Sequence, residues 1–192
     1  MPMTGCRQSE TGYWRLGWVG GGPIATALPG APGDRPLLRR ASLHCVIIFR
    51  EAGPQDLTDV LRLYGQLHPN DPELANGVAA MTYARILESP GLRLFVLERD
   101  GAVVATTYLN VIPNLTRSAA PYAVIENVVV DATLRGTGLG KQIMAGTLQA
   151  AWDAGCYKAM LMTGSRTPAT HAFYRACGFS PDAKTAYLAR PA

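Results

Sequence analysis

The chain has no run of eighteen apolar residues, so no membrane-crossing helix is expected. Its four cysteines, Cys6, Cys45, Cys156 and Cys177, include no C-x-x-C pair, and none of its three histidines lies at a zinc-finger interval. No metal site is expected from such spacing. Charged residues are scarce at 17%, and base exceeds acid only by a net +4. That small excess is also in the wrong place for a polyanion-binding face. Residues 1–45 hold five bases (Arg7, Arg15, Arg35, Arg39, Arg40) against two acids (Glu10, Asp34), which leaves +1 for the rest. Neither a nucleic acid nor a membrane is therefore an expected partner. Sequence repeats are absent too. What is present, 48% apolar residues over 192 positions, suits one folded domain.

Residues 1–45 lack the regular pattern of the remaining chain. They contain eight Gly and five Pro, the level of a disordered, low-complexity leader. A secretory signal is disfavoured, because glycines and a proline break the apolar middle of "WRLGWVGGGPIATALPGAP". The domain is expected to span residues 46–192. Its pattern starts abruptly at Val46, and translation of the natural protein is expected to begin near there. A mass spectrum of the native protein with residues 1–45 intact would contradict that start. The cysteines read as small apolar fillers in a reducing cytoplasm, the expected compartment.

From Val46 the elements alternate clearly. "VIIFREA" predicts a strand. Pro54 opens "PQDLTDVLRLYGQLH", where Leu57, Val60, Leu61 and Tyr64 repeat at helical spacing. "LANGVAAMTYARILES" predicts a second helix, flawed by Gly77. "LRLFVLERDGAVVATTYLNVIP" predicts two strands around an Asp100-Gly101 hairpin turn. "YAVIENVVV" is the next strand, "GKQIMAGTLQAAWDAG" a helix ended by Gly155, and "YKAMLMTG" a further strand. Thr167, Pro168 and Gly178 suit the N-cap, first position and stop of a last helix. A final strand, or a pair, is expected from Phe179 to Ala189. The hairpins demand antiparallel pairing, while strand–helix–strand from Tyr122 to Thr163 allows one parallel pair.

Between strand and helix lies "DATLRGTGLGKQ", with Gly136, Gly138 and Gly140 at alternate positions. A Walker loop ending at Gly140-Lys141 would need Gly at 135 and Ser or Thr at 142, where Arg135 and Gln142 stand. A dinucleotide fingerprint from Gly136 would need Gly at 141, where Lys141 stands. What remains is R-x-x-G-x-G, Arg135 to Gly140. Its backbone N–H groups and the following helix N-terminus suit a pyrophosphate, and Arg135 and Lys141 add charge. An ordinary glycine-rich turn is the alternative on this motif alone.

The motif follows "IENVVVD" and precedes "FYRACGF", Phe173 to Phe179. In this order the three features resemble the GNAT N-acetyltransferase superfamily, over about Val46 to Ala189. "IENVVVD…GLGK…GCYK" is further similar to the core of glucosamine-6-phosphate N-acetyltransferases and their bacterial relatives. The resemblance implies an α/β fold: a mixed, mostly antiparallel sheet of six to seven strands, splayed between the fourth and fifth, with about four flanking helices. It implies an enzyme that moves acetyl from acetyl-CoA to the primary amine of a small molecule by direct attack.

By the same resemblance acetyl-CoA would lie along Val128, Val129 and Val130, the loop Arg135, Gly136, Thr137, Gly138, Leu139, Gly140 and Lys141, and Phe173. Val128 and Val130 would bind its arm through their main chain, and an N–H near Asn127 or Val128 would polarise the thioester carbonyl. Tyr174 occupies the position of the usual general acid. A phenol can protonate a departing thiolate without being ionised at neutral pH. Glu126 is the sole carboxylate of an apolar strand, and burial raises the basicity of such a group. It is expected to act as the base or to hold the substrate ammonium. Thr167 stands where many relatives have Asn, so one cofactor contact would be lost. Asn114, Arg117, Tyr122 and Lys184 are the candidate acceptor contacts, with Arg117 and Lys184 suited to an anionic group. An amino sugar is the leading acceptor. Protein N-termini or lysines, which an open acidic groove beside Glu126 would favour, and a non-catalytic acetyl-CoA sensor are the alternatives. Homodimers are common among such enzymes, and one is compatible with this sequence.

Overall fold

The structure, a computed structural model, describes residues 46–191 other than Asn76. The leader, with the start expected near Val46, lies outside the described residues. Five strands form one sheet in the order β1 (Ile47–Glu51), β2 (Leu92–Arg99), β3 (Ala102–Ile112), β4 (Tyr122–Val130) and β5 (Ala159–Met160). Helices α1 (Leu57–Leu67) and α2 (Val78–Glu88) join β1 to β2. Helix α3 (Leu139–Asp153) joins β4 to β5, and α4 (Pro168–Ala176) comes after β5. All pairings are antiparallel except β4 with β5.

Local chemistry explains the joints. Asp100 and Gly101 both take positive φ, 52° and 84°, as the hairpin turn between β2 and β3 requires. Gly77, at φ 81°, stands before α2 rather than inside it, so the helix starts at Val78 and not at Leu74. Pro168 occupies the first turn of α4 with Thr167 as its N-cap residue.

The sheet is covered on both faces. On one, Val60, Leu63 and Tyr83 of α1 and α2 pack on Leu94, Val96, Val103 and Val129. On the other, Met144 and Ala151 of α3 pack on Phe95, Leu109 and Ile125. At the base of α1, Arg50 binds Asp56 through two hydrogen bonds of 2.6 and 2.9 Å and also reaches Glu98. Burial pushes the Asp56 carboxyl up, but the Arg50 hydrogen bond, the Gly53 N–H and the Arg50 charge outweigh it and hold the group below its ordinary range.

One close approach sets the distance between α3 and the sheet. A Cβ on Gly146 would come within 2.7 Å of three Phe49 ring atoms. That ring is stacked on Phe95 at 4.8 Å and has no easy retreat. Gly146→Val is therefore expected to destabilise the fold by about 3 kcal/mol, lowering Tm by about 6–12 °C in thermal denaturation. An unchanged Tm would contradict this packing.

Two expectations are corrected. The strand foreseen at Tyr157–Thr163 is reduced to Ala159–Met160, which pairs only with Ala123 and Val124. The strand foreseen over Phe179–Ala189 does not form, so the sheet has five strands among the described residues rather than six or seven. The reason is geometric: a two-residue β5 offers its neighbour too short a template. Tyr187 and Leu188 are accordingly 92% and 78% exposed.

Candidate active site

The site grows from an irregularity in β4. Thr106 pairs with Val129 and Tyr108 with Glu126, so two residues, Asn127 and Val128, stand opposite the single Thr107. This is a bulge, and it reverses the side-chain alternation of the strand. Before it, Ala123 and Ile125 face α3; after it, Val128 does, and Val129 turns to the α1 side. Asn127 accommodates the extra residue at φ 50°. Thr107 is fixed beneath by a 2.6 Å hydrogen bond to Thr147 of α3, whose hydroxyl also donates to Ile143 O at 2.8 Å.

The bulge coincides with the end of pairing to β5. Beyond Val124 the outer side of β4 has no strand partner among the described residues. Asp131 N–H donates to the Val104 carbonyl at 2.8 Å. Antiparallel pairing alternates inward and outward groups, so the N–H and C=O of Val130 point away from β3, into the splay. Arg135 Nε already donates to that carbonyl at 3.3 Å, which leaves the Val130 N–H for another acceptor.

Next comes the glycine loop. Gly136 and Gly138 have φ of 80° and 92° and open space around their missing Cβ atoms. The carbonyl of Gly138 accepts from Lys141 and Gln142 N–H. The first N–H groups of α3 thus stand free of helical partners at the positive end of its dipole. Gly140 works differently: a Cβ there would meet the Phe173 ring at 3.0 Å and Val130 Cγ2 at 3.5 Å. The missing Cβ leaves room for α4 to close onto the loop. These groups fit the pyrophosphate and arm of acetyl-CoA: an unobstructed amide cradle, an exposed Lys141, and an unpaired strand edge leading from it.

The loop is clamped at its root. Asp131 accepts hydrogen bonds from the Thr133 hydroxyl at 2.7 Å, the Thr133 N–H at 3.0 Å and Arg62 of α1 at 2.5 Å. Gln66 adds a 3.3 Å donor and accepts the Ala132 N–H at 2.8 Å. The two Thr133 bonds, then Arg62, hold the Asp131 carboxyl well below its ordinary range. With the folded pKa lowered, this clamp is at full strength above about pH 4 and weakens as pH falls further. Asp131→Ala should raise the acetyl-CoA dissociation constant about three- to tenfold by calorimetry while sparing kcat at saturation. No change in affinity would show that the clamp does not shape the loop.

Tyr174 approaches from α4. Its ring lies 5.0 Å from Phe173 and 6.3 Å from Phe179, edge-on to the latter. Burial raises its pKa, and Cys177 and the charge of Glu126 push the same way. Glu126 projects on the other face of β4, half-buried rather than fully enclosed. It opens into a groove of about 460 Å³, whose polar lining is Tyr108, Asn110, Glu126 and Asn127 and whose apolar lining is Leu92, Val111, Ile112 and Val124. A hollow of similar size between α2 and β2, around Tyr83 and Leu87, meets this groove only at Leu92 and contains none of these polar groups.

The four candidate acceptor contacts do not line the groove. Asn114 closes its own loop, donating to Thr116 O at 2.9 Å, to Thr116 Oγ1 at 2.8 Å and to Ala120 O. Arg117 is exposed in that loop at φ 58°. The ring of Tyr122 lies under Lys158 Nζ at 5.1 Å. Lys184 is exposed beyond α4. Reading the residues in order named the backbone near Asn127 but not Tyr108 or Asn110, which line the same groove. Tyr108 and Asn110 could have been found by registering β3 on β4, because they stand opposite Glu126 and Val124.

Comparison with known proteins agrees with this geometry. A family model described as the acetyltransferase (GNAT) family matches residues 57–179. The chain belongs to that family. It is an acetyl-CoA-dependent N-acetyltransferase. A glucosamine 6-phosphate N-acetyltransferase of Trypanosoma brucei brucei is 31% identical over 126 residues, 65% of this chain and 82% of the relative. A solved protein of Agrobacterium tumefaciens str. C58, assigned as an acetyltransferase, is 47% identical with a TM-score of 0.71, over 74% of this chain and 99% of that one. The glucosamine-6-phosphate N-acetyltransferase structure from Arabidopsis thaliana, at 23% identity and TM-score 0.66 over 76% and 98% of the two chains, shares the fold.

Proposed function

We propose that this N-acetyltransferase acetylates the primary amine of a small amino sugar, seated in the groove beside Glu126. One observation carries the reading. Glu126 opens into a small, half-polar groove on one side of β4, while Tyr174 stands on the other side, close enough to feel its charge. Between them runs the unpaired, bulged backbone.

Acetyl-CoA supplies an activated thioester carbonyl. Glu126 takes the proton from the attacking amine. A backbone N–H at Asn127 or Val128 stabilises the oxyanion as the new C–N bond forms. Tyr174 gives its proton to sulfur as the C–S bond breaks. Val128, Val129 and Val130, the loop Arg135–Lys141 and Phe173 hold the thioester in place. A lining of polar residues beside apolar ones suits a sugar ring, with its hydroxyl edge and apolar face. The names of the relatives support the same class. A protein acceptor is less well supported, because Glu126 is the only carboxylate in the groove lining. Cys156 and Cys177 are free thiols, which supports a reducing cytoplasm as the compartment.

The test is release of free CoA thiol with a panel of amines: glucosamine, glucosamine 6-phosphate, an aminoglycoside, a polyamine and lysine or N-terminal peptides. Turnover led by an amino sugar is expected. Turnover of peptides alone would overturn the acceptor assignment.

A further inference from the structure

Asn127 is strained where strain is uncommon. Five non-glycine residues have positive φ among the described residues, and four of them, Asp100, Arg117, Ser118 and Ala119, lie in turns or loops. Asn127 alone lies inside a strand. Such a conformation persists only where neighbours over-determine it. On the α3 side, Thr107 is held by Thr147, directly across from the bulge. On the other side α1 presents Tyr64, whose hydroxyl oxygen is buried and closes no hydrogen bond of normal geometry. Tyr64 and Tyr108 pack against the same cluster as Val129, two residues on from Asn127, and the Asn127 amide favours the ionised phenol. Burial pushes the Tyr64 pKa up to about 12, with Asn127 opposing, so it stands as a neutral phenol beside the carboxamide.

We propose that Tyr64 is a positioning residue. Its buried hydroxyl braces the Asn127 side chain and so keeps the β4 bulge in the left-handed conformation that aims the carbonyl-polarising N–H into the splay. Asn suits position 127 because it tolerates positive φ and also offers an amide to the phenol. This rests on the acetyl-transfer reading of the site but not on which amine is accepted.

The test is a cycle of Tyr64→Phe with Asn127→Gly, a residue that holds positive φ without support. In the otherwise native chain, Tyr64→Phe should lower kcat about tenfold, with the acetyl-CoA dissociation constant within about twofold, because the glycine loop still holds the cofactor. In the Asn127→Gly background the same change should cost less than about twofold. A second arm needs no turnover: the Cα and Cβ chemical shifts of Asn127, which separate left-handed from extended backbone, should move toward extended values in Tyr64→Phe. Equal losses in both backgrounds, no loss in the native one, or unmoved Asn127 shifts would overturn the proposal. A failed acceptor panel would leave the shift arm intact, so failure of this proposal is distinguishable from failure of the acceptor reading.

Discussion

Tyr174→Phe is expected to lower kcat about a hundredfold or more while leaving the acetyl-CoA dissociation constant within about twofold. The substitution keeps the ring between Phe173 and Phe179 and removes only the hydroxyl. Its cost is therefore read in proton transfer to sulfur and not in packing. Burial, the Cys177 neighbour and the Glu126 charge all raise the phenol pKa above its ordinary value near 10. A raised pKa keeps the proton on oxygen, so the acid form persists throughout the neutral range. Any basic limb that Tyr174 contributes to the rate must lie above about pH 10, and Tyr174→Phe should abolish it. Steady-state thiol release and calorimetry separate the two effects. A kcat within twofold of the native value would remove Tyr174 from the chemistry.

Glu126→Gln should reduce kcat by about a hundredfold and flatten the acidic limb of the pH–rate profile, once the acceptor amine's own titration is divided out. Glutamine preserves size and one hydrogen-bond acceptor but cannot take a proton. A carboxylate that merely held the substrate ammonium would behave otherwise: KM for the amine would rise with kcat little changed. The half-exposed position of Glu126 at the groove, opposite Tyr108, leaves room for the proton to pass to solvent after transfer. A retained acidic limb would rule out the base role.

What was legible in the amino-acid order was chemistry tied to local backbone. The Asp100-Gly101 turn, the positive-φ glycines 136 and 138, and the Pro168 start of α4 each follow from one or two residues. Features set across the fold were not legible. Nothing local to Gly140 shows that Phe173, thirty-three positions on, would lie 3.0 Å from a Cβ there. Asn127 reads as the middle of a buried strand, because only tertiary contacts force it left-handed. The strand expected after Phe179 had suitable residues but no neighbour long enough to pair with, since β5 is two residues long. The groove beside Glu126 brings together strand residues such as Tyr108 and Asn110 that only the β3–β4 register makes neighbours, while Asn114, Arg117, Tyr122 and Lys184 lie outside its lining.

In the proposed mechanism acetyl transfer depends on the bulged edge of β4, which has no strand partner beyond Val124 among the described residues. Amide hydrogen exchange of the intact protein, with and without acetyl-CoA, tests it most directly. Binding should slow exchange at Val128 and Val130, whose N–H groups would pair with the arm, and at Gly138 and Gly140 in the loop. Val129, whose N–H is turned toward β3, should change little. Protection of the loop without any at Val128 and Val130 would mean that the arm does not enter the splay, and would contradict the assignment of the active site.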